Sequence, residues 1–493
     1  MDSTEPLLVV GASDIAQTGL SEMAHACGLH LDAGSRLLTL FGRPGAGEQR
    51  VVTAVLQDGS GRLSVLRAFA KHGEHYPCLT ERHPAAQIFE RELWEQTGIV
   101  PDGHPWLKPV RYQGERQQRM TEHPFFSVRG REVHEVGVGP IHASVIEPCH
   151  FRFMCMGEQV LHLELQLGYQ HRAVEALLLQ RPPQALSTLV ETIVGDSSIA
   201  YAWCYCAALE ALADAPVALE TELVRGVALE LERVAMHLGT LTGMATDIAF
   251  LQGGATYGRL RTAIINAAMR CCGSRFGRGW LRPGGVRFGL GDALRRDLLA
   301  TLAACAKDFG EVNALMLAAH SVQSRLQDTG TVTTKAAREL GLAGLAARAS
   351  GVALDLRSSR PGRLHGAYPV ALLTEESGDC WARMRLRMRE IDESVRWLTQ
   401  VLQAPGHDLG AAALHAPALP RPDSLCVSMR EGFRGPVIHV IETGTDSRLV
   451  HYKVQDPSLQ NWFGAALAAR DNEISDFPIC NKSFDLSYCG NDL

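Results

Sequence analysis

Long apolar runs are missing from this 493-residue sequence. None reaches the ~18 consecutive apolar residues that a bilayer-crossing helix needs, so the chain itself is not expected to span a membrane. A basic excess is missing too: 48 Lys and Arg stand against 54 Asp and Glu, a net charge of −6. That balance, with no basic recognition motif, argues against nucleic acid as a partner. The opening residues Met1-Asp2-Ser3-Thr4-Glu5 lack the positive stretch of a secretory signal. The 13 cysteines, odd in number and irregularly spaced, do not form a disulfide framework and read as reduced thiols. These absences together lead to the expectation of a cytoplasmic protein. No internal repeat stands out, and Gly42-Arg43-Pro44-Gly45-Ala46-Gly47 is a turn-rich segment without the pattern of a phosphate loop.

What is present is enough chain for two or more domains and a large core. The organisation expected is α+β: a small N-terminal α/β unit over residues 1–120, a linker over 121–138, and a mostly helical body with peripheral strands over 139–493. In the first unit, Leu37–Phe41, Val51–Leu56 and Leu63–Phe69 are strand candidates, the last two joined by the turn-forming Asp58-Gly59-Ser60-Gly61. Pro84–Thr97 reads as an amphipathic helix ended by Gly98. The stretch Pro101–Val138 has little periodicity and suggests a surface-wrapping connection.

Further on, Val145–Gln166 alternates as strands around a turn at Gly157-Glu158. Helical spacing of apolar residues marks Glu220–Leu241, Leu294–Gln323 and Asp379–Leu402. Residues 404–425 look like a loop, and a strand pair is expected at Val437–Glu442 and Leu449–Val454. Trp381 and Arg383, Arg385, Arg387 and Arg389 share one helix and suggest a solvated or partner-facing surface. His72, His75, Cys78 and His83 have metal-like spacing but no second compact ligand pair, which leaves structural zinc as an alternative to ordinary loop residues.

Several motifs carry a resemblance. Phe89-Glu90-Arg91-Glu92-Leu93-Trp94-Glu95-Gln96-Thr97-Gly98-Ile99, followed by Asp102-Gly103-His104-Pro105, resembles the complex I 30-kDa subunit family. Gly139-Pro140-Ile141-His142, the run from Leu167-Gly168-Tyr169 to Glu175, the run from Glu230 to Leu238, Arg282–Arg287 and Pro457–Trp462 resemble the complex I 49-kDa subunit and hydrogenase large subunits, in chain order. The fusion of the two is similar to the large subunit of group 4, formate hydrogenlyase-type nickel-iron hydrogenases. The ending Asp476-Phe477-Pro478-Ile479-Cys480-Asn481, with Gly490-Asn491-Asp492-Leu493, resembles the energy-converting hydrogenase-related branch, which lacks the nickel-iron ligands.

The resemblance implies where a metal centre would be. Counting back from Tyr205, Cys206 and Glu210 places the family's first Cys-x-x-Cys at Val194 and Ser197, and the second pair is expected at Pro478 and Asn481. Nickel and iron need soft thiolates there, so no nickel-iron centre and no other cofactor is expected on this chain. Whether Cys204, Cys206, Cys480 or Cys489 form a displaced site stays open, against the plainer role of small buried hydrophobes.

Glu147 matches the proton-gating glutamate of hydrogenases, and desolvation would raise its pKa, which suits a proton carrier; a salt bridge to Arg152 or another arginine is the competing reading. Asp247 matches the aspartate of the complex I quinone site, whose tyrosine has no counterpart here. With Asp476, these make the proton-transfer set that the resemblance implies. His142, His150, Asp196, Ser197, Ser198, Arg357 and Asn481 are the expected polar lining, with Asp476 converging on the same pocket.

The implied function is a nickel-free component of a complex I-related membrane assembly, coupling electron transfer to proton or ion translocation. Implied partners are a small iron-sulfur subunit carrying a 4Fe-4S cluster and antiporter-like membrane subunits, with quinone as an open ligand. The chain would then lie on the inner face of the cell membrane. A small-molecule or quinone reductase and a non-redox scaffold of the peripheral arm remain as alternatives.

Overall fold

The computed structural model describes residues 5–113, 122–142, 146–415 and 419–493. Strand β1 (Leu7–Gly11) leads not into the nearest sheet but to one built by the far end of the chain. The N-terminal sheet follows it: β2 (Gln17–Gly19), α1 (Leu20–Asp32), β3 (Arg36–Pro44), β4 (Gln49–Gln57) and β5 (Leu63–Lys71), in the order β2-β5-β4-β3. Strands β3, β4 and β5 are antiparallel, and β2 runs parallel to β5. The β4–β5 turn is fixed by the Asp58 carboxylate, which accepts the N–H groups of Ser60 and Arg62 at 2.9 Å each. Helix α2 (Gln87–Thr97) begins after a 3-10 turn at Pro84–Ala86 and ends where Gly98 takes φ 74°, a left-handed cap. Leu20, Met23 and Cys27 of α1 and Phe89 and Leu93 of α2 share one apolar core with Leu40, Val52 and Ala54 of the sheet.

The connection expected to be irregular contains strand β6 (Val133–Val138), which pairs with β7 (His150–Met156) and through it with β8 (Gln159–Gln166). Val145, where the strand pair was expected to begin, lies outside the described residues, as does part of the connection. The body is built from α3 (Ser198–Leu212), α4 (Leu219–Asp247), α5 (Leu251–Cys272), α6 (Asp292–Ala318) and α7 (Cys380–Gln403). The expected helix over Leu294–Gln323 breaks at Ala319, whose extended ψ of 112° separates α6 from a short helix at His320–Leu326.

Strands β9 (Ser424–Glu431), β10 (Pro436–Thr443) and β11 (Leu449–Gln455) form an antiparallel sheet, with β1 completing it beside β9. The sequence pattern marks β10 and β11 but not β1 or β9. Helices α8 (Ser458–Ala468), α9 (Phe477–Phe484) and α10 (Tyr488–Asp492) finish the chain.

The arginines of α7 correct the expectation of a solvated face. Arg383 and Arg387, one turn apart, are buried: Arg383 donates to the carbonyls of Gly378 and Gly330, and Arg387 to those of Ser483 and Phe484. Arg385 and Arg389 face out, toward Glu375. The N-terminal unit is clamped to the body by buried charge. Glu92 of α2 pairs with Arg111 and with Lys453 of β11, and Glu442 of β10 with Arg43 and Arg67. Burial pushes the Glu92 carboxyl up, but Arg111 and Lys453 outweigh it and hold the group down at about 2.

Candidate functional site

The loop before α3 is Val194-Gly195-Asp196-Ser197, and it is pinned from three sides. Ser198 Oγ donates to the carbonyl of Glu191 at 3.0 Å. Beneath the first turn of α3, the Glu232 carboxylate of α4 accepts the N–H groups of Ile199 (2.7 Å) and Ala200 (3.3 Å). A helix N-terminus ordinarily favours a carboxylate. Here burial wins, helped by the nearby Asp196 charge, and lifts the Glu232 carboxyl to about 8. That group can hold a proton at neutral pH.

Asp196 points the other way, into a two-point ion pair with Arg434 at 2.7 and 2.8 Å. Arg434 lies in the tight connection between β9 and β10, stacks on Phe433 at 4.3 Å, and donates through Nε to the carbonyl of Asp485. Gly435, at φ 142°, lets this connection pass against Gly344: a Cβ there would lie 2.9 Å from the Gly344 Cα. The Asp485 carboxyl accepts from Thr240 at 2.6 Å; burial pushes it up, but Arg434, Arg387 and Lys482 hold it below the usual range.

The end of the chain closes the site. Ser487 caps α10 by accepting the N–H of Gly490 at 2.8 Å. Glu147 accepts the N–H groups of Tyr488 (3.2 Å) and Cys489 (3.4 Å). It does not pair with Arg152, which binds Glu135 instead. The Cys489 thiol, 3.4 Å from Ser487 Oγ, is pushed up to about 11 by burial, with Glu147 and Asp196 adding to the effect. Asp456 sits behind α10 and receives the hydroxyl of Tyr201 at 2.5 Å; Gly490 packs so closely on its carboxylate that a Cβ would come within 2.6 Å. Asp492 accepts the N–H groups of Gly168 and Gln170 at 2.7 Å each, tying the terminus to the Leu167–Glu175 segment.

Several expected pocket residues are elsewhere. Asp476 pairs with the half-exposed Arg325 at 3.1 Å. Asp247 stands exposed at the end of α4, its carboxyl raised by burial of its inner side and lowered by Lys482. Pro478 occupies the first turn of α9, where its missing N–H costs nothing. Asn481 reaches only the Tyr488 hydroxyl, at 3.4 Å. His150 contacts the carbonyl of Gly139 at 3.1 Å. The half-buried His142 ring lies 5.3 Å from that of Phe151, with no hydrogen-bond partner among the described residues. Cys204 faces the carbonyl of Ser428, Cys206 lies near Arg225 and Glu210, and Cys480 lies beside Cys380, so these thiols do not gather around Cys489. His72, His75 and His83 also part company, toward Thr97, Asp102 and Asp32. Among the described residues no cluster of three or more His, Cys, Asp or Glu could hold a metal ion.

Arg357 belongs to a second, deeper cluster. It binds Asp355 (2.8 Å) and Glu230 (3.2 Å), while Arg348 binds Glu390 (2.6 Å) and Glu431 (2.9 Å). Arg387 donates to His237 Nδ1 at 3.1 Å, so Nε2 carries the hydrogen and donates to Glu390 at 2.9 Å. Burial lowers the His237 pKa to about 4, which makes it a neutral bridge between two charges. Arg387 also feels Asp485, linking this cluster electrostatically to the Asp196–Arg434 pair.

Two stretches of the chain match known families. Residues 22–125 match the family described as the 30 Kd subunit of respiratory-chain NADH dehydrogenase, and residues 247–421 match its 49 Kd subunit. The chain is a fusion of complex I 30-kDa and 49-kDa domains. This 30-kDa–49-kDa fusion is 26% identical to formate hydrogenlyase subunit 5 of Escherichia coli (strain K12), over 84% of the chain and 76% of that protein. It is 27% identical to a carbon monoxide-induced hydrogenase of Rhodospirillum rubrum, over 71% of the chain and 96% of the relative. With an NADH-quinone oxidoreductase subunit of Clostridium beijerinckii the identity is 27%, over 66% of the chain and 86% of the relative. A chain of the membrane-bound sulfane sulfur reductase, an archaeal respiratory membrane complex, shares the fold of the fusion. Their TM-score is 0.68 at 21% identity, covering 74% of this chain and 99% of that one. No helix among the described residues is long and apolar enough to cross a membrane.

Proposed function

We propose that this chain is a nickel-free, hydrogenase-large-subunit-like component of a complex I-related membrane-bound oxidoreductase. In that assembly it takes electrons from a partner's 4Fe-4S cluster and moves protons through its own carboxylates. Antiporter-like membrane subunits would make the coupled ion movement, and the chain would lie on the inner face of the membrane through them.

The observation that carries the reading is the donor set around Asp196. Val194 is an apolar core residue and Ser197 a buried hydroxyl. On the opposite side, the segment facing Glu147 is Ser487–Cys489 rather than Pro478–Asn481. A Cys-x-x-Cys spacing laid on that segment falls at Ser487 and Gly490, which shifts the second lost pair nine residues along the chain. Neither registration supplies a thiolate at either position, and a nickel-iron centre does not fit valine with serine on one side and proline with asparagine, or serine with glycine, on the other. An ion pair, Asp196–Arg434, stands in the same place. Glu147 and Glu232, on either side of it, are the groups placed to take and release protons.

The test is metal analysis of the purified complex together with identification of its co-purifying subunits. The expected result is iron without nickel, with an iron-sulfur subunit and antiporter-like subunits present. Nickel at about one equivalent per chain would overturn the donor-set argument.

A further inference from the structure

Two of the 13 cysteines face each other across a helix contact. Cys380 is the first residue of α7, just after its capping residue Asp379, and Cys480 lies in the middle of α9. Both are buried. Their sulfurs converge on the bare Cα of Gly330, which has φ +66°. A Cβ there would lie 2.6 Å from Cys480 Sγ and 3.4 Å from Cys380 Sγ, so the pair fills the space of a missing side chain. Gly330 is itself buried and follows a loop in which Gln327 and Asp328 are exposed.

The surroundings of the two sulfurs differ. Cys380 Sγ receives Arg383 Nη2 at 3.4 Å and the Ser483 hydroxyl lies 3.5 Å away. Arg383 is itself fixed by Gly330 O (2.9 Å), Gly378 O (2.7 Å) and Ser483 Oγ (2.8 Å). Burial alone would push the Cys380 thiol up. The Cys480 hydrogen bond and the Arg383 charge act against burial and hold the Cys380 thiol below its ordinary value. The contact has the reverse effect on Cys480, whose thiol is pushed well up and stays protonated. Cys27, Cys204, Cys206, Cys271 and Cys426 are all pushed up by burial. Two thiols in contact, one of them beside the Arg383 guanidinium, make a reactive pair rather than two inert core residues.

We propose that Cys380 and Cys480 are a site of reversible oxidation, forming a disulfide that ties α9 to the N-terminus of α7. With a peroxide as the two-electron oxidant, the Cys380 thiolate attacks one oxygen and the O–O bond breaks. This leaves a sulfenic acid on Cys380 and a hydroxide that takes up a proton to become water. The Cys480 sulfur then displaces the sulfenic hydroxyl; its proton leaves with that group as a second water, and the S–S bond forms. Two thiols are oxidised and one peroxide is reduced to two waters. Because α9 runs directly into Asp485 and α10, the bond would fix the segment that faces Asp196 and Glu147. This chemistry belongs to the two sulfurs and stands whether or not the nickel-free reading holds.

The purified full-length protein, in its complex, is pulsed with hydrogen peroxide, quenched in acid and labelled with N-ethylmaleimide. Peptide mass spectrometry then reads each cysteine. The expected result is loss of both free thiols at 380 and 480, a linked peptide pair, and full recovery with dithiothreitol. In Cys480→Ser the link is lost and Cys380 is trapped by dimedone as the sulfenic acid. Wild-type protein in which both thiols remain alkylatable after the pulse would overturn the proposal. So would oxidation of Cys380 alone, with no link to Cys480, which would mark a lone reactive thiol.

Discussion

Asp196 and Arg434, 238 residues apart in sequence, meet in a two-point ion pair of 2.7 and 2.8 Å that joins the loop before α3 to the β9–β10 connection. The two partners are not equivalent. Arg434 is 7% exposed and also holds the Asp485 carbonyl, whereas Asp196 is 36% exposed. Removing the arginine takes the partner from Asp196 and one of three cations from Asp485; removing the aspartate leaves an arginine that still has Asp485.

Arg434→Gln is therefore expected to lower stability by about 1–3 kcal/mol, the cost of leaving the Asp485 carbonyl and a part-buried Asp196 without their donor. Asp196→Asn should cost markedly less, because its carboxylate keeps contact with water. Urea unfolding of both variants beside the wild type measures the difference. Equal losses would show that the pair is not anchored through Arg434.

The sequence made part of this legible, and the pattern of what it missed is physical. Local signals held: the Asp58 turn, the Gly98 cap and the strands around Gly157 are each set by residues within a few positions. Strands β1 and β9 went unread because their pairing joins opposite ends of the chain, Leu7 to Ser428 for example, and neither alternates cleanly. Arg383 and Arg387 looked solvated because composition reports charge but not the carbonyls that meet it. Pro478–Asn481 and Ser487–Gly490 have the same spacing in sequence, and only the hydrogen bonds to Glu147 separate them. Arg434 carried no motif, Glu232 lay inside the Glu230–Leu238 run with no role of its own, and what both do emerges from burial.

Glu232 gives a pH signature. Its folded-state carboxyl lies at about 8, above the ordinary glutamate value of 4.5. A raised folded pKa adds stability that is fully present below the unfolded value and is lost as pH climbs through the folded one. The window thus runs from roughly pH 4.5 to 8. Glu232→Gln keeps an oxygen to accept the Ile199 and Ala200 N–H groups but cannot ionise. Relative to wild type, the variant should gain stability steadily across that window, measured as unfolding midpoints at matched pH values. A constant difference would mean that Glu232 is already ionised in the folded protein.

Glu147 separates proton carriage from scaffolding. Its carboxylate reaches the start of α10 through the backbone N–H groups of Tyr488 and Cys489. Glu147→Gln preserves an acceptor for both bonds and removes only the ability to take up and release a proton. If the carboxylate moves protons, the complex carrying the variant should assemble with unchanged subunits and melt within about 1 °C of wild type, because the replacement disturbs no packing. Its electron transfer should nevertheless lose ion pumping, read as dye quenching in sealed vesicles. A variant that assembles and pumps normally would assign the chain to a purely structural role in the arm. A variant that fails to assemble would place Glu147 among the groups that hold α10, and the proton-carrying role would pass to Glu232.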